Sequence, residues 1–291
     1  MKDLIKKFDS YPAFSQVVLL FVIGLSSFVV LSIFFAIIAQ VLIPELSELY
    51  MSEIRTQYPI SFMIINFVPF QVGFMFVPGY IYSKFLRSNS LKFGTNKNIP
   101  TAIVLFTSVF LLLPFLTDVN SYALKYLGWY DSLIVSKIQT DELFSSLFQT
   151  GSIWPFILGV LIVGVITGIS EELLFRGFLL RHLLLNFKSP VKAIVVSALA
   201  FALLHFNYIQ MIPLIFFGLV LGVMYYITGK LWPSILMHTI NNSVNIYWIY
   251  SENIPCWMEE SSILLTSIGA FLLISTLIIA KKIDSSFSQE N

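Results

Sequence analysis

The sequence predicts an all-α, polytopic membrane protein: a bundle of about eight transmembrane helices with its N and C termini in the cytoplasm. Three observations predict it. Of 291 residues, 57% are hydrophobic and only 11% charged, against roughly 25% charged residues in a soluble domain. The apolar residues lie in long continuous runs without a period of two, which favours helices over strands. Basic and acidic connections alternate between those runs. The net charge of +1 carries no basic stripe, so nucleic acid is not an expected partner. The single cysteine, Cys256, excludes an intramolecular disulfide and a CxxC metal site, and is expected to be a small packed apolar residue.

The runs cover about 16–43, 59–83, 100–117, 153–186, 190–206, 211–228, 231–250 and 261–280. Most approach the ~20 residues that a helix needs to cross the hydrocarbon core. The first run is too long for a signal-peptide h-region. Lys2, Lys6 and Lys7 precede it, whereas the 44–58 loop carries Glu45, Glu48 and Glu53 against Arg55. Lys84, Arg87, Lys92 and Lys97 occupy the next connection, and Asp118, Asp131, Asp141 and Glu142 dominate 118–152. Arg181, Lys188 and Lys192 follow the fourth run, three glutamates fill 251–260, and Lys281 and Lys282 end the last run. This alternation sets the expected topology. The 118–152 connection, with Leu133, Ile134, Ile138, Leu143 and Leu147 in an amphipathic pattern, reads as an interfacial helix on the outer side.

The fourth run is unusual. From Trp154 to Leu185 it has no proline after Pro155 and can form one helix of roughly 48 Å, longer than the ~30 Å core. It carries Glu171, Glu172, Arg176 and Arg181. Glu172 and Arg176 stand at i and i+4 with the acid first, the favourable orientation for a pair. Glu171 points about 100° away round the helix, with Phe175 below it and no basic residue one turn away. It must be protonated, face water or meet a group from another helix. Such charges also serve as plain interfacial anchors, so the histidines matter.

His182 lies beside Arg181 and is expected at the surface, while His205 and His238 lie inside apolar runs. Counted from the turn near Lys188–Pro190, Glu171 and His205 are each 15 residues along their helices, roughly 22 Å deep. Antiparallel neighbours would bring them to one level. His238 and Asn242 share a helix face at roughly 10–17 Å from the start of their run, and helix tilt decides whether they join the first pair. A carboxylate and a neutral imidazole can deprotonate a water, and a second histidine with an amide can donate to an oxyanion. No HExxH, Ser-His-Asp order or glycine-rich phosphate loop is present.

At these residues the sequence resembles the CPBP intramembrane proteases, the CAAX-protease and bacteriocin-processing (Abi) family, which includes the type II CAAX prenyl endopeptidases. The family pattern EExxxR, FxxxH and HxxxN reads here as EELLFR at 171–176, FALLH at 201–205 and HTINN at 238–242. The resemblance spans about 150 to 250. It divides one integrated membrane domain into 1–150 (N-terminal transmembrane helices and an outer segment), 151–250 (catalytic core) and 251–291 (last transmembrane helix and tail).

The resemblance implies catalytic roles for Glu171 and His205 in activating water, and for His238 and Asn242 as oxyanion donors. Glu172, Arg176, Phe175 and Phe201 would support them. Phe175 replaces a frequent tyrosine. No cofactor is firmly implied. Were zinc used, Glu171, His205 and His238 would hold it with one position open. The implied activity is that of an intramembrane endopeptidase of the plasma (inner) membrane, commonly classed as a metalloprotease. Its substrate would be a membrane-bound or prenylated (CAAX-type) protein or peptide. Intramembrane Glu and His also suit a proton-coupled transporter, and a bacteriocin-immunity or scaffold protein is a third reading.

Overall fold

The computed structural model describes residues 8, 10–83, 96–148, 151–187, 189–259 and 261–289. Every one of the eight apolar runs is helical, and among the described residues no strand occurs. The helices are α1 (Ala13–Leu42), α2 (Met51–Gln57), α3 (Pro59–Ile81), α4 (Ile99–Tyr126), α5 (Tyr130–Phe148) and α6 (Ile153–Asn186). They continue with α7 (Pro190–Leu204), α8 (Met211–Thr228), α9 (Leu231–Ser251), α10 (Cys256–Glu259) and α11 (Ile263–Gln289).

Among the described residues, five stretches are long and apolar enough to cross a membrane: α1, α3, α4, α6, and Tyr208–Thr228, which holds α8. The α7 helix and Ile263–Ile279 of α11 are shorter apolar helices. The α9 helix has the length but not the apolarity, because His238, Asn241, Asn242, Ser243 and Asn245 interrupt it. Lys2, Lys6, Lys7, Lys84, Arg87, Lys92 and Lys188, on which part of the charge alternation rests, lie outside the described residues.

Two connections hold more helix than the runs indicated. The 44–58 segment contains α2, where Glu53 accepts from the Tyr50 N–H at 2.8 Å and so closes the helix start. The α4 helix continues past residue 117 to Tyr126, so Asp118 and Asn120 lie within it. Residues 130–148 are helical as expected. The far end of this helix packs into the first unit, where Leu147 and Phe148 are fully buried with Leu143 and Phe144 beside them.

The chain forms two compact units. One comprises residues 1–90, 142–186 and 238–252. Here α1, α3 and α6 pack together around Met63, Leu147, Phe148, Ile162 and Ile246, with a second cluster of Phe8, Leu20, Tyr82 and Phe178. The other comprises residues 91–141, 187–237 and 253–291. In it α4 packs against α8 and α11, and α7 against α8. Asn120 fixes the start of α8 there, donating to Ile209 O at 2.8 Å and accepting from Ile212 N–H at 2.9 Å.

The α6 helix is continuous but not uniformly α. Val160–Ile166 and Leu173–Leu180 are π-helical, bracketing an α stretch, Thr167–Glu172. In the first of these the Thr167 N–H reaches Ile162 O, five residues back. Phe70–Phe76 of α3 is also π-helical. Such segments are uncommon and often mark functional positions.

Small residues let the first unit's helices touch at backbone distance. A Cβ on Gly79 of α3 would stand 2.5 Å from the backbone carbon of Leu173. On α6, Gly164 faces Ser243 and Gly168 faces Thr239, both of α9. These pairs repeat every four residues on both helices, which is the small-xxx-small seam of membrane helix packing.

The two glycines of the seam are expected to respond differently to alanine. At Gly164 a Cβ meets only the rotatable Ser243 hydroxyl, whereas at Gly168 it meets Thr239 Oγ1 at 2.6 Å and backbone N at 3.1 Å. Helix propensity favours alanine by about 1 kcal/mol at both sites, and overpacking costs about 1–3 kcal/mol. Gly164→Ala should leave the thermal midpoint in detergent unchanged or raised, and Gly168→Ala should lower it.

Candidate active site

The acidic pair of α6 is buried inside the first unit. Glu171 is 5% exposed, Glu172 0%, Arg176 1% and His238 2%. Unpaired charges at such depth would be prohibitively expensive, and these groups meet one another. Arg176 Nη1 donates to Glu172 Oε1 at 2.7 Å, as the i,i+4 spacing predicts. The same carboxylate oxygen lies 2.9 Å from His238 Nδ1. Glu172 thus binds a guanidinium of its own helix and an imidazole of α9 together. The seam explains why: His238 adjoins Thr239, the residue packed on Gly168.

Glu171 meets groups from two other helices. Its Oε1 accepts from Gln71 Nε2 of α3 at 3.4 Å, and its Oε2 stands 3.7 Å from His238 Nε2. The imidazole therefore lies between two carboxylates. Because an ionised carboxylate only accepts, Nδ1 carries the hydrogen directed at Glu172. Nε2 is then the nitrogen presented to Glu171. Two carboxylates and one guanidinium leave the group one positive charge short, and a single proton on His238 or Glu171 makes it neutral.

The other expected site residues are placed as follows. Asn242 is on the same face of α9 as His238 but a turn further on, and its amide donates to Val163 O at 3.1 Å. That carbonyl lies in the π stretch, where the Thr167 N–H passes over it to Ile162 O. Phe175 is buried beside Arg176, whose guanidinium carbon is 6.0 Å from the ring centroid. His205 and Phe201 belong to the second unit. His205 follows the last residue of α7 and is exposed. Its Nδ1 is 2.7 Å from Phe201 O and its ring 4.4 Å from that of Phe201. Donation from Nδ1 to this carbonyl leaves Nε2 as the basic nitrogen.

Two expectations are corrected. His182 is not a surface residue: it is 3% exposed, with Nδ1 at 3.4 Å from the Tyr82 hydroxyl and its ring against Tyr82 and Phe178. Its helix face turns toward α3 rather than outward. Cys256 is exposed rather than packed, because it opens the short helix α10.

Gln71 was missed by reading the charged and histidine positions alone. Its signal was available: an amide inside the apolar stretch PFQVGFMF of α3 needs a buried partner. Among the described residues, no three His, Cys, Asp or Glu side chains are gathered in a metal-binding arrangement.

Residues 152–244 match the family model described as type II CAAX prenyl endopeptidase Rce1-like. No curated protein and no solved structure matches the chain. The matched segment contains α6, α7, α8 and the part of α9 that carries His238 and Asn242, and all three motifs fall inside it. Together with the five apolar spans, the match makes this an integral, multi-pass membrane protein. Over residues 152–244, the chain is similar to the type II CAAX prenyl endopeptidase Rce1-like family.

Proposed function

We propose that the protein is an intramembrane endopeptidase that hydrolyses a peptide bond of a prenylated or otherwise membrane-associated substrate with a glutamate-activated water. The observation that carries this reading is the buried group of Glu171, Glu172, Arg176 and His238, joined by contacts of 2.7 to 3.7 Å. A family-matched segment supplies all four residues.

In this reading Glu171 takes a proton from water, and the water oxygen bonds to the carbonyl carbon of the scissile peptide. A His238 N–H stabilises the resulting oxyanion. Asn242 supports it with the second N–H of its amide, the first being held by Val163 O. The C–N bond then breaks, and the leaving nitrogen takes the proton from the Glu171 carboxyl. Glu172 and Arg176 hold His238 in one orientation. His205 enters through the FxxxH motif alone, as a second base for the water.

Purified protein is expected to cleave a membrane-anchored peptide, and both Glu171→Gln and His205→Ala should lower kcat by about 10²–10⁴-fold while inserting and eluting as wild type. Full activity in both variants would sink the peptidase reading. A proton flux in proteoliposomes abolished by Glu171→Gln would favour transport instead.

Substrate class is tested with a farnesylated CAAX peptide beside its unprenylated twin and an unrelated acylated peptide. The family resemblance predicts the largest kcat/KM for the farnesylated one. Equal turnover of all three would remove prenyl recognition from the reading. A metal-free reaction predicts rates within twofold after exhaustive chelation. Loss of activity that zinc restores would replace it with metal-assisted hydrolysis.

A further inference from the structure

We propose that Gln71 is a positioning residue for Glu171. Its amide holds Oε1 of the carboxylate and thereby turns Oε2 toward His238 Nε2. The proposal rests on the reading of Glu171 as the water-activating base, and it adds to the site a residue from outside the family-matched segment 152–244.

Three observations carry it. Gln71 is 7% exposed and lies within an apolar membrane-spanning helix, Pro59–Ile81. A buried amide there is costly unless its hydrogen bonds are met. Its Nε2 is 3.4 Å from Glu171 Oε1, and a carboxylate can only accept, so the nitrogen end of the amide is the end that faces it. The two helices are also locked together close by. The α3 helix approaches α6 at Gly79, where a Cβ would stand 2.5 Å from the Leu173 backbone, two residues beyond Glu171. This approach holds α3 against α6 about two turns of α3 away from the Gln71–Glu171 contact.

The geometry gives the contact a direction. A carboxylate on a flexible glutamate has two equivalent oxygens, and with neither held the group rotates. Gln71 occupies Oε1 and leaves Oε2 as the oxygen 3.7 Å from His238. The base thereby presents one defined oxygen beside the imidazole, which is the pre-orientation that proton transfer requires. The Phe70–Phe76 π stretch places Gln71 near its start, where the widened helix alters the angle at which a side chain leaves α3.

The test uses the full-length protein in detergent or nanodiscs. Gln71→Met keeps the side-chain length and removes the donor. Gln71→Asn keeps an amide but withdraws it by one methylene. Gln16→Met is the control, because Gln16 is also buried, at 5%, but donates to Tyr11 O. Both Gln71 variants should lose roughly tenfold in kcat with KM within twofold, since a hydrogen bond to a charged group is lost, and the control should lose neither. The Glu171 carboxyl band, assigned in infrared difference spectra against Glu171→Gln, should shift in both Gln71 variants and stay fixed in the control. An unmoved band overturns the proposal whatever the rate does. A moved band in a protein that cleaves no peptide supports the contact while overturning the peptidase reading. If Gln71→Met fails to fold, Gln71→Asn alone decides.

Discussion

Gly168 of α6 and Thr239 of α9 meet so closely that a methyl group would not fit between them without displacement, and the charged group depends on that approach. His238 adjoins Thr239, so the seam carries the imidazole to the two glutamates. Without it, Glu172 would keep Arg176 and Glu171 would keep Gln71, but His238 would not stand between the two acids. The energetics have the same order. Burying two carboxylates and a guanidinium opposes folding, and packing between small residues is one of the forces that associate helices in lipid. The Gly168–Thr239 contact of the seam lies within one turn of that group.

The π-helical stretches of α6 fit this arrangement. They stand on either side of Thr167–Glu172, so both acids sit in a short α segment between two widened ones. Widening changes which backbone groups pair. The Thr167 N–H bonds Ile162 O, and Val163 O accepts from Asn242 of α9 instead. A second link between α6 and α9 is thus built from a carbonyl that a regular helix would occupy with its own N–H four residues on. The seam and this hydrogen bond together fix the rotation of α9, and with it the side of the ring that faces Glu171.

Much of this was legible in the sequence because it follows from spacing. The Glu172–Arg176 pair follows from i and i+4 on one helix. The eight helical runs follow from apolar continuity. The options for Glu171 were correctly bounded, since it meets groups of other helices. What spacing could not show was identity across helices. Helix counting gave a common depth for Glu171 and His205, but it could not show that the His238 imidazole stands 3.7 Å from Glu171, because the glycine contacts of α6 with α9 set that approach. His182 was misread for the same reason: its neighbour Arg181 suggested a surface, while Tyr82 and Phe178 close over it. The α4 extension to Tyr126 was hidden because hydropathy falls at Asp118 and Asn120, although the helix continues and Asn120 is consumed by the start of α8.

The charge balance of the site bears on the proposed reaction. Arg176 is committed to Glu172 at 2.7 Å, so in the proposed hydrolysis the proton is handled by the remaining pair, Glu171 and His238. Moving that proton between Glu171 Oε2 and His238 Nε2 changes no net charge. In a site shielded from water this matters, because a step that created an uncompensated charge would be opposed by the full cost of burial. The proposed hydrolysis takes a proton onto Glu171 and forms an oxyanion beside His238. Each charge then develops next to a group already able to answer it, and the second glutamate of the EE motif is what keeps the imidazole in place to do so.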